Sequence, residues 1–182
     1  MNIKPGSSIL VVCHDAGGAE IVSAYVKKNK DQYVFYCCVS GPALNIFDKK
    51  GLQSLCLPQE VSLESCFADS GQVYDMLLTG TSWTTDLERR AIAMAREKGI
   101  LTASYLDHWV NYRQRFGYPA DGWEKTLPDQ IWVGDMYAYK QAEKDGFLSI
   151  HLVRNEYFEE IREEIGQRRL GLGRHVLGPD RL

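Results

Sequence analysis

Four stretches of this chain are apolar without alternation, and they constrain the fold more than any other feature. They are Ser8 to Cys13, Tyr33 to Val39, Val73 to Leu78 and Ile100 to Leu106. A strand that alternates polar and apolar residues can leave one face in water. A strand that does not alternate must be covered on both faces, as in parallel sheets with helices above and below. Between these runs the apolar residues recur at helical spacing. Ile21, Val22, Tyr25 and Val26 follow the first run, and Leu87, Ala91, Met94 and Ala95 follow the third. The pattern predicts an α/β domain, doubly wound in three layers around a mainly parallel sheet, with the four runs central.

Seven strands are expected, at 8–13, 33–39, 52–57, 73–78, 100–106, 130–133 and 150–153. Helices are expected from Gly17-Gly18 to Lys28, over 43–50 closed by Gly51, over 61–68 with Leu63 and Phe67 inward, and over 136–144 ended by Gly146. Thr85-x-x-Glu88 reads as a capping box for the helix that Gly99 stops. Residues 107–128 read as a long structured loop with one helical turn. Tyr157 to Arg168 reads as a charged helix with Phe158, Ile161 and Ile165 as its apolar stripe, and the residues from Gly171 on read as loose. The expected organisation is a domain over 1–156 followed by a linker-like helix and tail over 157–182.

With 182 residues, 45% hydrophobic and 25% charged, the chain can bury one core without a staple. A net charge of -3 argues against nucleic acid as a partner. The stretch Tyr33 to Phe47 is free of Lys, Arg, Asp and Glu, but it is too short to span a bilayer and contains Gly41-Pro42. No transmembrane segment and no signal peptide are expected. Five cysteines without a C-x-x-C pair fit neither a disulfide framework nor a zinc site. The four histidines show no metal spacing. A cytoplasmic protein without metal or cofactor is expected.

In an open parallel sheet ligands bind beyond the carboxyl ends of the strands. Small and polar residues concentrate there. Gly17 and Gly18 suit an anion at a helix start, or simply a tight turn. His14 suits a general base, or a hydrogen-bonded turn residue. Asp15 is adjacent to it, but neighbours on an extended chain point apart, so Asp107 is the better carboxylate to orient the ring. Thr81 and Ser82 suit either ligand binding or a helix cap. Leu106 to Phe116 gathers Asp107, His108, Trp109, Asn111, Tyr112 and Arg113. Aromatic faces and arginines suit a sugar or a phosphorylated ligand, and a loop packed by its own aromatics is the alternative. The expected site is therefore His14 and Asp107 as catalytic groups, with Asp15, Gly17, Gly18, Thr81, Ser82, His108, Trp109, Asn111 and Arg113 binding substrate.

Three segments resemble a known family. They are the first strand running into His14-Asp-Ala-Gly-Gly18, the βα unit around Leu127 to Asp135 with Gly146, and Val153 to Phe158. The last is similar to a Gly-Asn-Pro-Tyr junction, with Arg154 and Glu156 in place of Gly and Pro. The chain resembles the N-terminal Rossmann-like half of GT-B glycosyltransferases and of the related UDP-sugar 2-epimerases and hydrolases, over about residues 7 to 158. The resemblance implies an acceptor-side domain in nucleotide-sugar or surface-polysaccharide metabolism, with His14 at the family's base position. It also implies that the donor nucleotide is held by a second domain, so a donor-binding partner chain or a homodimer is expected. The other expectation is a stand-alone Rossmann-like module that binds a nucleotide or a protein without catalysis.

Overall fold

The computed structural model describes residues 3–59, 61–68 and 73–174, with side chains to residue 168. Six strands form one sheet, and every pairing is parallel. They are β1 (Ser8–Cys13), β2 (Val34–Val39), β3 (Met76–Thr79), β4 (Leu101–Tyr105), β5 (Gln130–Val133) and β6 (Ile150–Leu152), in the order β2-β1-β3-β4-β5-β6. The helices are α1 (Ala16–Asn29), α2 (Pro42–Lys49), α3 (Leu63–Phe67), α4 (Leu87–Glu97), α5 (Tyr112–Arg115), α6 (Met136–Lys144) and α7 (Glu156–Arg174).

The absence of alternation has the predicted consequence in β1 and β3, but β2, expected to be central, lies at the sheet edge and its burial alternates, because only one neighbouring strand and one fully packed face cover it. Ile9 to Cys13 of β1 and Met76 to Leu78 of β3 have no accessible surface. Ile9, Val11 and Cys13 pack on Ala19, Val22 and Val26 of α1 and on Ala43 and Phe47 of α2. Leu10 and Val12 belong to the opposite core, with Leu63 of α3, Ala91, Ile92 and Ala95 of α4, and Ala138 and Ala142 of α6. Each large apolar side chain enclosed this way contributes about 1.5–3 kcal/mol.

Five further expectations need correction. The loop 107–128 holds two helical turns rather than one, α5 and a 3-10 turn at Trp123–Thr126. The segment 52–57 is not a strand. The amides of Leu55 and Cys56 bond back to Leu52 and Gln53 in a 3-10 turn, which leaves Leu57 N to reach Cys37 O at 2.9 Å in a single bridge. The strand expected at 73–78 starts at Met76, because Val73 is solvated and Asp75 ties to Ser8 by both its amide and its carboxylate. Thr85 and Glu88 do not form a capping box. The Thr85 hydroxyl accepts from Leu87 N at 3.2 Å, but Glu88 turns into the core and accepts from His14 N at 2.8 Å.

The last correction concerns α7, which does not dock through its apolar stripe. Asn155 caps it by accepting from Phe158 N. Its inward side carries Tyr157 and Glu160. Lys50 bonds Glu160 at 2.6 Å and lies 5.1 Å from the Tyr157 ring centre, while Lys27 of α1 is 3.3 Å from Glu160. The surface that α7 meets presents lysines, so the acidic face turns in and Phe158 and Ile165 stay exposed. Its helix runs on to Arg174, so residues 171–174 are helical rather than loose; residues 175–182 lie outside the described residues.

Candidate functional site at the sheet switch point

The chain leaves β1, crosses α1 to β2 on one side, and returns to β3 on the other side of β1. That reversal opens a crevice between the carboxyl ends of β1 and β3. Two loops meet there: His14-Asp15 into α1, and Gly80 to Thr84 after β3. Gly18 and Gly80 make the meeting close. A Cβ on Gly18 would lie 3.0 Å from Gly80 Cα and from Thr81 N, so no larger residue fits without moving backbone.

His14 and Asp15, expected to point apart, are paired. His14 Nδ1 lies 2.9 Å from Asp15 Oδ1. This is possible because Asp15 has left the strand: it stands as N-cap residue before α1, and its carboxylate swings back over the ring. Three further groups hold that carboxylate. The Thr84 hydroxyl donates to Oδ1 at 2.6 Å, Trp83 N donates to Oδ2 at 2.9 Å, and Ser82 adds a weaker hydrogen bond. Partial burial pushes the Asp15 pKa up. The hydrogen bonds from Thr84, His14, Trp83 and Ser82 outweigh it and hold the pKa at about 2. Asp15 is thus a fixed anion beside the imidazole. With Nδ1–H donated to it, the lone pair sits on Nε2. That nitrogen faces Gly41, where a side chain would collide with the ring. Gly41 also has φ 56, a conformation that suits glycine.

Ser82 organises this loop by accepting from Thr84 N at 3.2 Å and Thr85 N at 3.1 Å. Beneath the pair, Glu88 is buried, and burial raises its pKa. Its Oε2 has no hydrogen-bond partner among the described residues.

Asp107 does not bond the histidine. Its Oδ1 accepts from Arg115 Nη1 at 2.6 Å and from the Thr81 hydroxyl at 3.2 Å, and Arg115 Nη1 also reaches Thr81 Oγ1 at 2.8 Å. Asp107 Oδ2 sits over Gly17, where a Cβ would collide with it. The negative charge at the start of α1 is therefore the chain's own. Arg115 crosses 5.6 Å from the centre of the Trp83 ring, which joins this cluster to the histidine loop.

The remaining expected residues separate. His108 and Trp109 line a neighbouring depression of about 600 Å³ with Val110, Asp135 and Tyr137. Trp109 Nε1 donates to Asp135 Oδ2 at 3.0 Å, and its ring meets Tyr137 edge to face at 6.2 Å. Asp135 also caps α6 through Ala138 N. Arg113 turns away: its Nε donates to Asp145 O and its guanidinium faces Tyr118. Asn111 takes a left-handed conformation before α5. Arg115, Glu88 and Thr84 were not expected, and Gly41 was expected at the rim but not as a site residue. A glycine next to Pro42 after an apolar strand was the available signal for Gly41; nothing in the sequence distinguishes Arg115 from Arg113. Among the described residues no group of three or more His, Cys, Asp or Glu is arranged to hold a metal ion, and no helix is long and apolar enough to cross a membrane.

No protein-family profile and no curated protein matches the chain. Solved structures do. A UDP-N-acetylglucosamine 2-epimerase superposes with a TM-score of 0.57 at 13% identity, over 82% of this chain and 48% of its own. A putative UDP-N-acetylglucosamine 2-epimerase from Listeria monocytogenes superposes at 0.54 and 8% identity, over 80% and 44%. A UDP-glucosyltransferase from Polygonum tinctorium is similar at 0.49 and 12% identity, over 84% and 53%. The chain spans about half the length of these proteins. At such identities the likeness is one of fold, a Rossmann-like domain of the GT-B type.

Proposed function

We propose that this chain is the acceptor-side domain of a glycosyltransferase-like protein acting on a nucleotide-sugar substrate, with His14 as general base and Asp15 as the group that orients it. The observation that carries this reading is the His14–Asp15 pair at the β1/β3 crevice, with Asp15 held ionised by Thr84 and Trp83. A base needs one ring nitrogen fixed by an acceptor and the other free to take a proton. Here Nδ1 faces the carboxylate and Nε2 faces a residue without a side chain. The imidazole would take the proton of an acceptor hydroxyl at Nε2, and the fixed Asp15 charge would stabilise the imidazolium. Trp109 and Tyr137 offer aromatic edges and faces to a sugar ring beside it. Asp107, Thr81 and Arg115 act together to hold the crevice wall.

The donor nucleotide would be held by a second domain, a partner chain or a second copy. The carboxyl rim supports this, because Trp83, Trp109 and Tyr137 are exposed there together. The test is amide chemical-shift mapping with a panel of mono- and disaccharide acceptors and, separately, with UDP. Shifts caused by an acceptor and confined to the loops after β1, β3, β4 and β5 support the reading. No response to any acceptor, or a response at the amino ends of the strands, overturns it. Tight binding of free UDP by the chain alone would favour a nucleotide-binding module without catalysis.

A further inference from the structure

Cys37 and Cys38 are neighbours on β2, the edge strand, so their side chains lie on opposite faces of the sheet. Each has a cysteine partner. Cys37 forms the parallel bridge with Cys56, fixed by Leu57 N to Cys37 O at 2.9 Å. Bridged residues of adjacent strands lie about 5 Å apart, within the Cα separation of a disulfide. Cys38 packs in the other core beside Cys66 of α3, and the two thiols are in hydrogen-bond contact. Cys56 and Cys66 therefore lie against opposite faces at the sheet edge, each with a thiol partner on β2. All five cysteines are reduced in this structure.

We propose that Cys37–Cys56 and Cys38–Cys66 are two dithiol sites that a hydroperoxide oxidises to disulfides, tying Cys56 and Cys66 to opposite faces of β2. The pairs share one architecture. Cys56 and Cys38 are half-buried, whereas Cys37 and Cys66 are buried. The hydrogen bond from Cys37 lowers the Cys56 pKa, and that from Cys66 lowers the Cys38 pKa, so the reachable sulfur of each pair is the more readily deprotonated one. The buried partner has its pKa raised, by the same hydrogen bond and then by burial. An accessible nucleophile beside a protected resolving thiol is the arrangement that traps a sulfenic acid as a disulfide.

The step balances. The Cys38 thiolate attacks the outer oxygen of the hydroperoxide and breaks the O–O bond; the alkoxide released takes up the proton that Cys38 lost and leaves as an alcohol, or as water from hydrogen peroxide. Cys66 sulfur then displaces hydroxide from the sulfenic acid, and its own proton converts that hydroxide to water. Two thiols lose two electrons, and the peroxide bond gains them. Cys56 and Cys37 react alike. Cys13, buried in β1, adds to the raised pKa of Cys37 and takes no part in either cross-link.

The test treats the full chain with stoichiometric hydrogen peroxide and counts thiols after denaturation, with peptide mapping of the cross-links. The expected result is a fall from five thiols to one, with links 37–56 and 38–66 only, and a Tm raised by about 5–15 °C. Cys56→Ser should lose the first link and keep the second; Cys38→Ser should do the reverse. Near-isosteric serine keeps both variants foldable, and far-UV dichroism checks this. Cross-links involving Cys13, links between chains, sulfinic acid without cross-links, or an unchanged thiol count would each overturn the proposal.

Discussion

Replacing Arg115 by Met removes the cation that faces Asp107. The Arg115 and Asp107 side chains keep 5% and 10% of their exposure, and Nη1 meets Oδ1 at 2.6 Å. A pair this enclosed is not a surface ion pair worth a few tenths of a kcal/mol. Breaking it from one side leaves a buried carboxylate over the Gly17 backbone with only the Thr81 hydroxyl for company. Such orphaned charges cost about 3–5 kcal/mol. Removing both charges, in R115M/D107N, removes the orphan as well. The double variant should therefore lose at least about 1.5 kcal/mol less than the sum of the singles. Urea unfolding of the four proteins, followed by dichroism with a common m-value, measures this. If R115M alone loses under about 1 kcal/mol, or the double variant loses the full sum, Asp107 is not a paired wall residue and its assignment here fails.

Gly18→Ala should cost more than Gly17→Ala, about 2–3 against about 1–2 kcal/mol, since Gly18 meets backbone and Gly17 meets a side chain; thermal melts rank them. Glu88→Gln should change the pH dependence. Burial raises the folded pKa of Glu88, so its contribution is full below the unfolded value near 4.5 and is lost as pH rises through the folded value. The stability of wild type relative to Glu88→Gln should fall over that window in urea titrations at stepped pH. Asp15→Asn behaves oppositely. Its folded pKa of about 2 makes the wild-type advantage constant above about pH 5 and declining toward pH 2. Lys50→Ala should loosen α7 by about 1 kcal/mol and speed amide exchange over 156–168, less so in high salt.

The parallel sheet was legible because burial on both faces leaves a direct mark in composition: β1 and β3 carry no alternation, and neither is exposed. The rim was legible for a topological reason, since every parallel strand delivers its next loop to the same edge. Pairings within the rim were not. Whether Asp15 or Asp107 meets His14 depends on one backbone turn before α1, and spacing along an extended chain predicts the wrong answer there. Glu88 shows the same limit. Its place after Thr85 fits a helix cap, yet tertiary packing brings it to the His14 amide. The face of α7 was misread because its own apolar stripe was considered without the lysines of the surface it meets.

The central claim is that Asp15, and not Asp107, fixes the His14 ring with Nε2 free. The 15N shifts of the imidazole, measured where the ring is neutral, report which nitrogen carries the proton. The account predicts Nδ1–H in the wild type and in Asp107→Asn, and a mixture of tautomers in Asp15→Asn. Nε2–H in the wild type, or a tautomer that changes with Asp107 and ignores Asp15, would contradict it.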